Sequence, residues 1–241
     1  MLREDSLPMK KKLCLLVFVF AGCFYFSQKR IWLSTQIPQI DPKMAGMIYH
    51  MLSVADELFQ KHQIPYWIDG GTVLGAVRHK GLIPWDDDAD LVFYQEDEAR
   101  VLALAKEFSD HGLFLKKEAY GGVRILPSET ITYPAIDLSG YTLFRDQKLR
   151  YDLKFLRLRF PKFYWLPQEV HPLTRVQFGP VELNAPNQMT PYLFRGYGAD
   201  CLKKAFCLQR HSEEKDVRLR RRYIKKKVLI TDFSPAKYEL P

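Results

Sequence analysis

Residues 86–93 read Asp-Asp-Asp-Ala-Asp-Leu-Val-Phe, so four carboxylates fall within five positions directly ahead of an apolar strand. Like charges packed this closely are unfavourable unless a cation or hydrogen bonds compensate them. Side chains at i and i+2 of a strand share a face. A strand beginning near Asp88 therefore sets Asp88 and Asp90 side by side, while Leu91, Val92 and Phe93 run on into a core. Apolar Ile83-Pro84-Trp85 closes the other flank, which argues for a cluster gripped by the fold over a solvated acidic turn. Asp86, Asp88 and Asp90 also match the first ligand positions of a calcium loop. That loop needs Gly at its sixth position and usually Glu at its twelfth, where this chain has Leu91 and Asp97. Carboxylates paired on a strand hold a divalent metal against a phosphate, which points to phosphoryl or nucleotidyl transfer.

Upstream, Tyr66-Trp67-Ile68-Asp69 reads as a strand, broken by Gly70-Gly71, with Thr72 to Val77 as a short helix. Small residues at such a junction let backbone N–H groups approach an anion, and the helix N-terminus adds partial positive charge. Arg78, His79 and Lys80 follow as cationic donors for a phosphate. Alone, this is equally the pattern of an ordinary glycine turn beside a basic surface patch. Its place ahead of the acidic strand favours donor binding by Gly70, Gly71, Thr72, Arg78 and His79. Asp69 is expected to cap the turn or reach the site, and Asp86 to orient the ligands. Trp67 and Trp85 fit a core or a site wall better than a stacking platform.

Taken together, Trp67-Ile68-Asp69-Gly70-Gly71-Thr72, Leu74-Gly75-Ala76-Val77-Arg78-His79 and Ile83-Pro84-Trp85-Asp86-Asp87-Asp88-Ala89-Asp90 resemble the LicD family, which includes the fukutin-type domains. Tyr133 to Leu138, His171-Pro172-Leu173, Phe178-Gly179, Asn184 to Asn187 and Tyr197 to Asp200 resemble its later segments, so the likeness runs over roughly 45–205. It implies an α/β (α+β) fold, a nucleotidyltransferase-like mixed sheet flanked by helices. It also implies transfer of a phospho-alcohol, such as phosphocholine or ribitol phosphate, from a CDP-activated donor to a glycan. By the same resemblance Asp88 and Asp90 are metal ligands for Mg²⁺ or Mn²⁺ and Asp137 is the third carboxylate, with a role as base or as ligand left open. Cys201 stands where the family often has an aromatic residue, which puts the packing of that segment in question.

The remaining chain suggests four parts: a leader over 1–33, a linker over 34–40, a catalytic domain over 41–207 and a basic tail over 208–241. In the leader, Lys10-Lys11-Lys12 precede Leu13–Phe26, an apolar run of fourteen residues. That is short for a spanning helix, but basic ends and Trp32 favour a single-pass membrane anchor over a cleaved signal peptide or a lipoprotein signal at Cys23. Asp41-Pro42 opens a helix with an apolar stripe to about His62, Glu96 to His111 reads as a second amphipathic helix, and 151–187 as a loop-rich, acceptor-facing insertion. The 47% apolar content is ample for a core, and four cysteines make no disulfide framework. From Arg210 to Lys227 nine Lys or Arg meet three acids, yet only Tyr223 is interleaved as a stacking group, so no nucleic-acid partner is expected. The expected partners are a CDP-alcohol donor, a cell-surface glycan or lipopolysaccharide-type acceptor, and a membrane through the leader. A DxD-type glycosyltransferase using a nucleotide sugar, an RNA nucleotidyltransferase and a non-catalytic glycan-binding protein are the competing readings.

Overall fold

The computed structural model describes residues 39–206, 227–230 and 232–241. Helix α1, Pro42–Lys61, starts where the Asp41 side chain accepts the N–H groups of Lys43 at 2.8 Å and Met44 at 3.4 Å, with Pro at the first helical position. Its Ile48, Met51, Leu52, Ala55, Leu58 and Phe59 are buried, and Lys43, Ser53, Glu57, Gln60 and Lys61 are exposed, as a 3.6-residue period requires.

The expected strand and glycine turn form β1, Tyr66–Ile68, and α2, Gly70–Arg78. The acidic run forms the start of β2, Asp88–Tyr94. A 3₁₀ turn, Gln95–Asp97, then leads into α3, Glu98–Ala103, and α4, Ala105–Asp110. The single helix expected over Glu96–His111 is thus divided at Leu104, whose N–H turns back to Val101 O at 3.1 Å; Val101, Leu104 and Phe108 all enter the core. Strands β3, Phe114–Lys117, β4, Val123–Leu126, β5, Ala135–Leu143, and β6, Leu149–Tyr151, complete the main sheet. Its order is β1-β2-β5-β4-β3, with β6 on the far half of β5. Only the central pair β2–β5 is parallel, so the sheet is mixed, and helices pack on it as expected.

The second half adds the short helices α5, Lys154–Arg159, and α6, Pro167–Val170. A hairpin of β7, Thr174–Phe178, and β8, Val181–Ala185, turns at Gly179. Helix α7, Met189–Tyr197, and the antiparallel pair β9, Lys204–Phe206, and β10, Lys227–Leu229, follow. The boundary expected at 208 does not set the C-terminus apart. Ala236 N–H bonds Leu82 O and Glu239 N–H bonds Pro42 O, each at 2.9 Å, and Tyr238 packs edge-on to Tyr49.

The expected membrane anchor needs correction. Among the described residues no helix is long and apolar enough to cross a membrane. The twenty-residue α1 is long enough, but its polar stripe suits one face to water. The leader over 1–33, most of the linker and the basic run from Arg210 lie outside the described residues, apart from Lys227.

Tyr49 ties α1 to the loop before β2: its buried hydroxyl accepts the Leu82 N–H at 2.9 Å. Tyr49→Phe leaves that buried donor unpaired and is expected to cost about 1–3 kcal/mol, read as a lower urea midpoint with an unchanged m-value.

Candidate functional site

The parallel register of β2 and β5 sets Asp90 opposite Asp137 and Asp88 opposite Ala135. Alternation then places all three carboxylates on one face of the sheet. The glycine turn closes over them. Gly71 N–H donates to Asp90 Oδ2 at 3.2 Å, Asp90 N–H to Thr72 Oγ1 at 2.7 Å, and Asp69 N–H to Asp90 O at 3.1 Å. Gly70 has φ +49°, and a Cβ there would lie 2.5 Å from Asp90 Oδ2, so both conformation and space require glycine. The N–H groups expected to meet a phosphate are engaged inside the protein: Gly70 N–H donates to Tyr192 Oη at 3.2 Å, and Gly71 N–H holds Asp90.

Burial pushes the Asp90 carboxyl well above its usual range, and Asp88, Asp137, Asp69 and Asp86 each push it further. Asp86, Asp87 and Asp88 each bring a carboxylate oxygen within 4.8 Å of the others, a grouping able to hold a metal ion. This tight group shares only Asp88 with the expected ligand set and adds Asp87, a nearly fully buried side chain to which the sequence reading gave no role. An all-oxygen donor set under this much mutual repulsion, with a glycine cradle against it, fits a hard divalent cation.

Arg124 was also missed. It lies opposite Asp137 in the β4–β5 register, donates from Nε to Asp137 Oδ1 at 2.8 Å and from a guanidinium nitrogen to Thr132 O at 3.0 Å, and sits over the Tyr133 ring. Burial alone would lower its pKa; Asp137, with Tyr133 and Tyr120, offsets this, and the net shift is upward. The signal was present in Val123-Arg124-Ile125, one charge in an apolar alternation, but its partner depends on strand pairing.

Asp69 neither caps α2 with its side chain nor joins the carboxylate face directly. It is fully buried and accepts Tyr141 Oη at 2.7 Å, Tyr151 Oη at 3.1 Å and Trp165 Nε1 at 2.8 Å. Burial raises its pKa against the lowering effect of these donors. Trp165 stacks on Tyr192 at 3.9 Å between ring centroids, and Tyr192 receives the Gly70 N–H, so Asp69 and the glycine turn are joined by one polar network. The Tyr197 phenol is pushed well up by burial and by the Asp90 and Asp86 carboxylates, which places it beside the cluster.

Arg78 and His79 serve the C-terminal half. Arg78 donates to Cys201 O at 2.8 Å, and burial lowers its pKa to about 10. Cys201 is itself buried, so the segment packs without an aromatic residue there. His79 is fully buried, with Nδ1 3.2 Å from Ser234 O, and burial, then Arg78, lowers its pKa to about 4. Trp67 is core, and half-buried Trp85 packs against Arg78 and His79.

Residues 63–188 match the family model described as LicD/FKTN/FKRP, nucleotidyltransferase domain, just over half of the 241-residue chain. The chain belongs to the LicD family. It is 29% identical over 202 residues to protein RP689 of Rickettsia prowazekii, covering 79% of this chain and 72% of that one. It is 41% identical over 51 residues to the lipopolysaccharide cholinephosphotransferase LicD of Haemophilus influenzae, covering 21% of this chain and 19% of LicD. It is 56% identical over 34 residues to the human ribitol 5-phosphate transferase FKRP, 14% of this chain and 7% of FKRP. The matches to these two named transferases are therefore short stretches of much longer chains.

Two outcomes follow from these charges. Asp90→Asn removes a like charge, so it is expected to raise the melting temperature in EDTA and to shrink the further rise on adding Mg²⁺. His79 stays neutral in the fold to about pH 4 while the unfolded histidine takes up a proton near 6.5. The unfolded state therefore holds more protons in that window, and stability falls as pH drops from about 6.5 to 4, by up to about 3 kcal/mol. Urea titrations across this range should show a flatter pH dependence in His79→Gln.

Proposed function

We propose that this chain is a metal-dependent transferase that moves a phospho-alcohol, phosphocholine or a close analogue, from a CDP-activated donor to a cell-surface glycan or lipopolysaccharide-type acceptor. The observation that carries this reading is the in-register Asp90–Asp137 pair, with Asp88 beside it, beneath the Gly70-Gly71 turn. Family membership and the named phosphocholine and ribitol-phosphate transferases among the relatives support it.

Asp88, Asp90 and Asp137, with Asp86 beside them, would hold Mg²⁺ or Mn²⁺. The ion bound there supplies charge neutralisation at the donor's diphosphate. Gly71 and Thr72 act by fixing Asp90 and Gly70 by leaving it room, and the start of α2 would bring partial positive charge to the donor phosphates. The acceptor hydroxyl oxygen forms the new bond to the donor's outer phosphorus as that atom's bond to CMP breaks, the hydroxyl proton passing to the departing CMP phosphate or to water, a reaction governed more by positioning and charge than by covalent chemistry. Asp137 is read as a ligand and not as the base, because taking up a proton would break its ion pair with Arg124. Arg78 is read as a support for the 198–204 segment that brings Tyr197 to the cluster.

The test incubates the protein with Mg²⁺, lipopolysaccharide and, in turn, CDP-choline, CDP-ribitol, CDP-glycerol, UDP-sugars and NTPs. Metal-dependent CMP release from one CDP-alcohol is expected, falling by about 100-fold or more in Asp88→Ala and Asp90→Ala. Release of UDP with no CMP would make the protein a glycosyltransferase. Unchanged CMP release in both variants would remove these carboxylates from the chemistry.

A further inference from the structure

The loop over 152–164 hangs from one buried carboxylate by both ends. Tyr151, just before it, and Trp165, just after it, donate to Asp69 at 3.1 and 2.8 Å. The loop is also seated beside the carboxylate cluster. Leu153 packs against Gly121, where a Cβ would meet it at 2.8 Å. Phe155 meets the Tyr120 ring edge-on at 5.8 Å, and Asp69, which holds both ends of the loop, donates its own N–H to Asp90 O at 3.1 Å.

What this anchored loop presents to solvent is unusual. Between Leu153 and Trp165 it carries Lys154, Arg157, Arg159 and Lys162 and no acid. Helix α5 buries none of its residues. Phe155 is 46%, Leu158 72% and Phe160 36% exposed. Arg157 is engaged with the carbonyls of Tyr151 and Asp152. Among the described residues, no ion pair engages Lys154, Arg159 or Lys162, and all three are exposed. The rings offer apolar surface of the kind that covers the C–H faces of sugars, with the Arg159 guanidinium over the Phe160 ring at 5.6 Å, and the cations match phosphate or carboxylate groups. A bilayer surface suits the loop less well. Helices that lie in a lipid interface segregate an apolar face from a charged one. In α5 Arg159 stands four residues after Phe155 and so shares its face, which leaves the charges unsegregated.

We propose that the 152–164 loop is the binding wall for an anionic glycan, a saccharide bearing phosphate or carboxylate groups. Lys154, Arg159 and Lys162 read its charge, and Phe155 and Phe160 cover its sugar rings. That this glycan is the transfer acceptor rests on the function proposed above; the binding itself does not.

The test measures binding of the full chain to an oligogalacturonate, to a neutral maltooligosaccharide of equal length and to phosphatidylglycerol vesicles. It compares the wild type with an Arg159→Glu, Lys162→Glu double variant and with Phe160→Ala. Arg159 and Lys162 are exposed, so the double variant is expected to keep its melting temperature; Phe160 also packs on Tyr151 and Phe163, so Phe160→Ala is compared at a temperature where its melting curve shows it folded, and the chain's remaining positive charge is common to all forms. The wild type is expected to prefer the oligogalacturonate, and the double variant to bind it about tenfold more weakly. Phe160→Ala should weaken it with the salt dependence retained. Equal binding of charged and neutral glycans, or equal binding by wild type and double variant, overturns the proposal. So does vesicle binding with none of the oligogalacturonate, which would make the partner a lipid surface. Weakened binding in the double variant, with no CDP-alcohol ever turned over, upholds the wall and removes the transferase. Unchanged binding beside intact CMP release does the reverse.

Discussion

The Asp69 carboxylate, shut away from water at the end of β1, is the point on which the two halves of this protein meet. A buried carboxylate is costly unless its oxygens are well satisfied, and a partly satisfied network is worse than an apolar one. Here donors arrive from β5, from β6 and from two residues ahead of α6: Tyr141, Tyr151 and Trp165. Each comes from at least 72 residues away in sequence, so the network can close only once the sheet and the later loops are in place. Through the Trp165–Tyr192 stack it extends to α7 and back to the Gly70 N–H.

That network positions a site built on repulsion. Asp90 is held by Gly71 and Thr72 while four other carboxylates bear on it. The backbone bonds fix where the carboxylate sits; they do not neutralise the cluster. Arg124 brings a cation to the Asp137 end of the cluster. A fold that keeps this much like charge together suits a divalent cation as the balancing partner.

The glycine turn shows how packing redirects groups whose chemistry is plain in the sequence. Gly70-Gly71 reads as a place where backbone N–H groups meet an anion. They do meet one, but it is the protein's own Asp90, with Tyr192 taking the other donor. Arg78 and His79 look like phosphate donors because they are basic and follow the turn. Nine residues of helix carry them to its far end, where they hold Cys201 O and Ser234 O. Charge is legible in a sequence, whereas the direction a side chain takes depends on which surfaces pack around it.

The sequence by itself determined the local elements and the shared face of Asp88 and Asp90, because strand alternation and the Asp41-Pro42 cap act over a few residues. It also carried the family, through motifs confined to short stretches. The tertiary structure decided that β2 pairs in parallel with β5, and therefore that Asp137 meets Asp90 and that Arg124 meets Asp137. It decided as well that Asp69 is a buried hub and that 232–241 folds back on α1. Those outcomes depend on the register between strands far apart in the chain and on which polar groups are shut away from water together, and neither is set by any local run of residues.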